Sequence, residues 1–279
     1  MFYREQRWKS RKTKNLRVKE SLEFLDVRIF PITEKEKNRS RKEKTKVTAP
    51  KQQKLNNKRS IEWHKKIIHS NFDESDYVIH ATFDNKNRPK DKESIEKEFK
   101  NYIARINRRR KKLGLGNSKY VAVIEGIQDK RKKVHFHIII DGELNRDILE
   151  ELWNKKGYIN VDRLQMNEEG FSALVKYMAK EKEAEDMKYN KMWRSSVGLK
   201  KPKLEVNDSK YNKRKMKNML MQQPSRQELE SMYPGWILTN YEIKYNEEYG
   251  NIYMDINMRR YCKNERIKGS NYYKVGRRN

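Results

Sequence analysis

The chain has 279 residues, with 67 Lys and Arg against 39 Asp and Glu, which gives a formal net charge of +28. Leu, Ile, Val and Phe make up about a fifth of the chain, a fraction that predicts a modest folded core with long basic segments. A single cysteine, Cys262, excludes an internal disulfide and a multi-thiolate zinc site. Short apolar runs exclude a transmembrane helix, so we expect a cytoplasmic protein that does not bind a membrane. The charge predicts a polyanionic partner, and nucleic acid is the first candidate because neutralised phosphates release counterions.

The basic residues are concentrated towards the two ends of the chain. Residues 1–60 carry 20 Lys and Arg against 7 Asp and Glu, and residues 34–59 are almost without apolar side chains. Such a segment cannot bury enough surface to offset the entropy of ordering. We therefore predict a basic, largely disordered arm over residues 1–70, with one short docked element around residues 22–32. Residues 206–279 are predicted to form a basic extension with a β-hairpin.

Between residues 75 and 205 the sequence alternates strand and helix patterns. Four β-rich runs predict strands, and three amphipathic runs predict helices, in the order 77–83, 91–113, 119–127, 133–140, 144–153, 157–164 and 168–182. Gly114 directly after the cations of residues 108–112 is typical of a helix C-terminus. The order βαββαβα predicts an α+β fold in which an antiparallel sheet has ferredoxin-like or RRM-like order.

Three polar side chains on two neighbouring predicted strands form a candidate metal site. His135 and His137 are separated by one residue, which puts both imidazoles on one face of a strand. If the hairpin turns around Arg131, Glu125 lies opposite His137 and its carboxylate converges on both histidines. Two imidazoles and a carboxylate can bind a divalent cation and leave positions for water and a phosphate group. The alternative is an ordinary polar sheet face, which is also how His80 on the first strand is interpreted.

Tyr177 and Lys180 lie one turn apart on the third predicted helix. A tyrosine phenol has a pKa near ~10 and is a poor nucleophile on its own. It becomes effective where a metal polarises the phosphate that it attacks and a cation stabilises the developing charge. The pair is informative only because it follows the histidine strand by one further strand.

These motifs resemble a known family. Residues 134–138, Val-His-Phe-His-Ile, are similar to the histidine–hydrophobe–histidine motif of the HUH endonucleases. The closest likeness is to rolling-circle replication initiators of small plasmids and single-stranded DNA phages. Tyr177 and Lys180 match the Tyr-x-x-Lys nucleophile motif of that family, and Glu125 occupies the place of its additional metal ligand. The resemblance covers residues 75–205, which we therefore expect to be a nicking and joining domain.

The resemblance implies a Mg²⁺ or Mn²⁺ cofactor held by Glu125, His135 and His137, and a covalent tyrosine intermediate. Residues 192–202 are similar to the stretch that follows the tyrosine helix in phage replication-associated proteins. From this stretch we expect four DNA-binding residues: Trp193, Arg194, Lys200 and Lys201. The first two can instead pack against the edge of the sheet.

The predicted function is that of a metal-dependent endonuclease and strand transferase that starts rolling-circle replication in a bacterial cytoplasm. Its partner would be single-stranded DNA at a replication origin. The sequence has no P-loop, so a host helicase would unwind the duplex and a host polymerase would extend the primer. Two alternatives remain: a relaxase or single-strand transposase with the same chemistry, and a non-enzymatic nucleic-acid-binding module on a ferredoxin-like sheet.

Overall fold

The computed structural model describes residues 2–10, 13–15, 20–34, 50–126, 133–179 and 193–262. The strands within these ranges are β1 (Phe2–Lys9), β2 (Thr13–Asn15), β3 (Glu20–Ile32), β4 (Tyr77–Phe83), β5 (Tyr120–Glu125), β6 (His135–Ile140), β7 (Gly157–Arg163), β8 (Trp193–Ser195), β9 (Lys203–Tyr211), β10 (Ile237–Asn246) and β11 (Asn251–Cys262). The helices are α1 (Pro50–His69), α2 (Lys92–Lys112), α3 (Arg146–Glu151), α4 (Ser172–Ala179), α5 (Lys213–Gln222) and α6 (Arg226–Met232). No helix in these ranges is both long enough and apolar enough to cross a membrane.

The middle of the chain forms a five-stranded antiparallel sheet, which we call the site sheet. Its strands lie in the order β7-β4-β6-β5-β8. From β4 to α4 the chain runs strand, helix, strand, strand, helix, strand, helix. The predicted α+β class is confirmed.

Helices α2 and α3 cover one face of the site sheet. Asp91 caps α2 by accepting a hydrogen bond from the backbone N–H of Ser94 at 2.8 Å. Apolar side chains of α2 recur at helical spacing, and they pack on the strand residues that alternate with the polar side chains of the candidate site. The buried apolar residues of α2 are Ile95, Phe99, Tyr102, Ile103 and Ile106.

The other face of the site sheet, which we call the site face, packs against α1, α4 and the start of β3. Val121, Val123 and Ile139 of the sheet share one apolar cluster with Leu22 and Phe24 of β3. The same cluster includes residues of α1 and α4. The N-terminal segment is therefore part of the packing that surrounds the candidate site.

Strands from both ends of the chain form a second antiparallel sheet, which we call the terminal sheet. Its path is β10-β11-β3-β1-β9, and β2 pairs with β3 at the side of this path. The predicted C-terminal hairpin is the pair β10 and β11, and β11 also pairs with β3. The three domain boundaries stay a prediction, although residues 2–32 and 203–262 share this one sheet.

The expectation of a largely disordered arm is wrong for β1, β3 and α1. One face of β3 is apolar, with Leu25, Val27 and Ile29 buried together with side chains of α5 and α6. The cations lie on the opposite face, where acidic residues of neighbouring strands neutralise them. Arg4 Nε lies 2.8 Å from Asp208 Oδ1, and Arg28 Nε lies 2.7 Å from Asp255 Oδ1. Residues 35–49, the most basic part of the predicted arm, lie outside the described residues.

Helix α1 is ordered because its C-terminal half is buried between the two sheets. Ile67 and Ile68 join the apolar cluster on the site face. Lys65 Nζ lies 3.1 Å from the Asp26 carboxylate of β3, and both side chains are largely buried. Burial alone would raise the pKa of Asp26, but the charges of Lys65 and its neighbours lower that pKa well below its usual range.

Candidate metal and nucleophile site

The β5–β6 hairpin brings the three predicted metal ligands together on the site face. Glu125, the last residue of β5, pairs directly with His135, the first residue of β6. His137 pairs with Val123, so the predicted opposition of Glu125 and His137 is wrong by two residues. A shift of two residues preserves the face on which each side chain lies, because the side-chain period of a strand is two. The predicted turn around Arg131 lies outside the described residues.

The ligand atoms of Glu125, His135 and His137 all lie within 4.8 Å of one another. Glu125 Oε2 is 2.7 Å from His135 Nε2 and 3.4 Å from His137 Nε2. Glu125 and His137 are buried, with exposed fractions of 6% and 3%. Burial would raise the pKa of Glu125, but hydrogen bonds from the two imidazoles and their charge outweigh it and lower the pKa.

The donor set of this cluster fits a divalent cation. His135 Nδ1 lies 2.9 Å from the carbonyl oxygen of Lys133, and a carbonyl can only accept, so Nδ1 carries a proton. In the neutral imidazole this leaves the lone pair on Nε2, which faces Glu125, as a metal ligand requires. Two imidazole nitrogens and a carboxylate oxygen suit Mn²⁺ and similar ions.

His80 of β4 is the site residue whose role the sequence did not reveal. It pairs directly with His137, and the two Nδ1 atoms lie 2.8 Å apart, so one donates a hydrogen bond to the other. Burial, and next the charge of His137, lowers the pKa of His80, which favours its neutral form. His80 therefore holds the ring of His137 with Nε2 directed at Glu125. The only sequence signal for this role is its position on the same face of a neighbouring strand.

Tyr177 lies on α4 beside this cluster. Val175 and Met178 are buried on the inner side of α4, whereas Tyr177 is 55% exposed. Its ring centroid is 5.4 Å from that of His137 and 6.1 Å from that of His80, edge to face in both cases. An exposed phenol thus borders the candidate metal ligands, as the sequence predicted. Lys180, the predicted cation one turn later, lies outside the described residues.

The four predicted DNA-binding residues divide into two groups. Trp193 and Arg194 of β8 are buried, with exposed fractions of 3% and 7%. Trp193 stacks on His64 of α1 at a centroid distance of 4.5 Å, and Arg194 pairs with the Glu96 carboxylate of α2. The structure thus shows the packing alternative for these two residues and leaves no surface of theirs for a base.

Lys200 and Lys201, in contrast, have exposed side chains. The backbone of Lys200 is anchored on both sides by the Asn71 side chain, through hydrogen bonds of 2.8 Å to its N–H and its carbonyl oxygen. Both lysines are therefore presented to solvent from a fixed segment of backbone.

The site lies within a stretch of chain that resembles a known family. Residues 76–182 match the model of a family of replication-associated proteins of the ORF2 type. The recognition made from the motifs is confirmed. The matched stretch contains Glu125, His135, His137 and Tyr177, and it covers less than half of the chain. No curated protein and no solved structure matches this chain.

Proposed function

We propose that this chain initiates rolling-circle replication by nicking and rejoining single-stranded DNA at an origin through a tyrosine–DNA intermediate. The observation that carries the proposal is the juxtaposition of exposed Tyr177 with the Glu125, His135 and His137 cluster inside the segment that matches a replication-associated family. An ordinary polar sheet face would not need three ligand atoms around one point. It would not need an exposed phenol next to them either.

In the proposed reaction, the Tyr177 oxygen attacks a phosphorus atom of the DNA backbone. The bond from phosphorus to the 3′ oxygen breaks, so a 5′-phosphotyrosyl link forms and a 3′-hydroxyl is released as a primer. The phenolic proton passes to solvent, which the 55% exposed ring borders. Attack of a 3′-hydroxyl on the phosphotyrosine reverses these steps and joins the strand.

Glu125, His135 and His137 would hold Mg²⁺ or Mn²⁺ in this reaction. A bound divalent cation would act as a Lewis acid towards the scissile phosphate. His80 would keep His137 in the tautomer and orientation that ligation requires. Lys180 is proposed to stabilise charge on the phosphate, because it follows Tyr177 by one helical turn in the sequence.

The proposed partners follow from the same chemistry. The substrate is single-stranded origin DNA, a polyanion that suits a net charge of +28. Because the sequence lacks a P-loop, we propose that a host helicase exposes this strand and a host polymerase extends the new 3′ end, in the cytoplasm of the host.

The test is covalent capture of the DNA. Labelled single strands that tile the replicon encoding this chain are incubated with Mn²⁺, and adducts are separated on a denaturing gel. We expect a protein–DNA band that Tyr177→Phe removes and that a metal chelator prevents. Tyr158→Phe is the matched control, since Tyr158 is also exposed, at 70%, and lies on edge strand β7 of the same sheet.

The outcome distinguishes the proposal from its alternatives. An adduct that persists in Tyr177→Phe and maps to another tyrosine would contradict the assignment of the nucleophile. Binding of every strand without any adduct would instead favour the non-enzymatic binding module.

A further inference from the structure

The outer face of α2 is a cationic surface that the proposed nicking chemistry does not use. From residue 97 to residue 112, every exposed position except Ala104 is a lysine or an arginine. These exposed residues, which we call the α2 stripe, are Lys97, Lys100, Arg108, Lys111 and Lys112.

The carboxylates of α2 do not neutralise this surface. Glu96 pairs with Arg194, and Glu98 Oε2 accepts from Lys156 Nζ, so both are directed to neighbouring elements. Asp91 and Glu93 lie at the N-terminal end of α2, one turn or more before Lys97. Within the described part of the chain, no carboxylate lies within ion-pair distance of the α2 stripe.

Helix stability does not account for the α2 stripe either. Cations stabilise the last turn of a helix through its dipole, and residues 109–112 are in that position. Lys97, Lys100 and Arg108 lie outside the last turn, where the dipole contributes little. Their charge therefore points to an external anion.

We propose that the α2 stripe binds the phosphate backbone of double-stranded DNA. Lys97 and Lys111 are 14 residues apart, which is about 21 Å along a helix that rises about 1.5 Å per residue. Duplex DNA presents one phosphate per about 1.7 Å of its axis, so the stripe faces anions along its whole length. Single-stranded DNA fits less well, because binding modules for it stack bases on aromatic side chains. Phe99 and Tyr102 of α2 are buried.

The α2 stripe lies on the side of the site sheet opposite to Glu125, His135 and His137. A duplex on α2 and a single strand at Tyr177 therefore do not compete for the same surface. Binding through Lys and Arg alone is independent of base sequence. The surface would hold duplex DNA near the origin while the opposite face acts on the exposed strand.

The test compares two variants of the full chain in the Tyr177→Phe background, which leaves the DNA uncut. The first replaces Lys97, Lys100, Arg108 and Lys111 with Gln, which removes charge but keeps helix propensity. The second removes the same number of charges from another exposed helical surface, Lys213, Arg214, Lys215 and Lys217 of α5. Affinity for a duplex of about 30 base pairs and for its single strand is measured between about 50 and 200 mM salt.

We expect the first variant to bind the duplex about tenfold or more weakly, with the slope of log K against log salt smaller by about 3. Its single-strand affinity and the control variant should change much less. Unchanged duplex binding, an equal loss in both variants, or an equal loss for single strands would each overturn the proposal. If the fourfold variant does not fold, Lys100→Gln and Arg108→Gln alone should each reduce the duplex slope by about 0.9. These readouts do not require that Tyr177 form an adduct.

Discussion

Phe24→Ala tests whether the N-terminal strands support the candidate site. Phe24 lies on β3 of the terminal sheet and is 5% exposed. Its ring stacks on His69, the last residue of α1, at a centroid distance of 4.1 Å. It also lies so close to Gly170, just before α4, that a Cβ atom there would be 2.6 Å from the ring. Truncating Phe24 therefore removes a contact between the terminal sheet and both helices of the site face.

The expected loss of stability is large. Replacing a buried phenylalanine with alanine costs about 3–5 kcal/mol, because transfer free energy is lost and a cavity remains. A folded domain is stable by only about 5–15 kcal/mol, so this loss is a large part of the total. A flexible basic arm would give no such effect, since its side chains would be solvated in both states.

The assay is equilibrium unfolding in urea, followed by circular dichroism. Phe2→Ala is the matched control, because Phe2 lies on β1 of the same sheet and is 42% exposed. We expect the control to change the free energy of unfolding by about 0.5 kcal/mol or less. A change below about 1 kcal/mol for Phe24→Ala would refute the packing of β3 against α1 and α4.

Three further predictions concern histidines. His135→Ala should abolish Mn²⁺ binding in isothermal titration calorimetry, whereas Glu125→Gln should weaken it less, because an amide oxygen or water can replace one carboxylate oxygen. His80→Phe should weaken Mn²⁺ binding by about tenfold or more, since it removes the hydrogen-bond partner of His137; equal affinity would contradict that orienting role. Burial lowers the pKa of His69 to about 3 from 6.5, so below pH 6.5 the unfolded chain takes up a proton that the folded chain does not. His69 should therefore reduce stability as pH falls from 6.5 towards 3, by about 1.4 kcal/mol per pH unit, and this slope should be absent from the unfolding curves of His69→Gln.

The candidate metal site could be predicted because it depends on local periodicity. His135 and His137 share a face by strand geometry alone, and Glu125 reaches that face from the adjacent strand of the same hairpin. The exact register depended on the turn between these strands, so the predicted pairing was wrong by two residues. The prediction of a shared face survived because any even shift leaves each side chain on its original face.

The fold of the N-terminal segment could not be predicted because its stabilising partners are distant in the sequence. Arg4 pairs with Asp208, 204 residues later, and Arg28 pairs with Asp255, 227 residues later. Local composition shows the cations but not the carboxylates that face them. The apolar alternation of residues 25, 27 and 29 was a usable signal, but the surrounding charge outweighed it in the interpretation.

Trp193 and Arg194 illustrate the same difficulty at the site sheet. An aromatic residue beside a cation in a basic stretch is typical of a nucleic-acid contact, and the sequence alone also allows packing. The outcome depends on pairing with β5 and on Glu96, which lies about a hundred residues earlier on α2. No short-range pattern contains that information.

Net charge alone does not locate a DNA-binding surface on this chain. In the terminal sheet, cations such as Arg4 and Arg28 are matched by carboxylates on adjacent strands, so their contribution to an external field is small. On α2 the carboxylates Glu96 and Glu98 are engaged with other elements, and the stripe from Lys97 to Lys112 is left without acidic neighbours among the described residues. Because counterion release depends on cations that can reach phosphates, the second arrangement favours DNA binding and the first stabilises the fold.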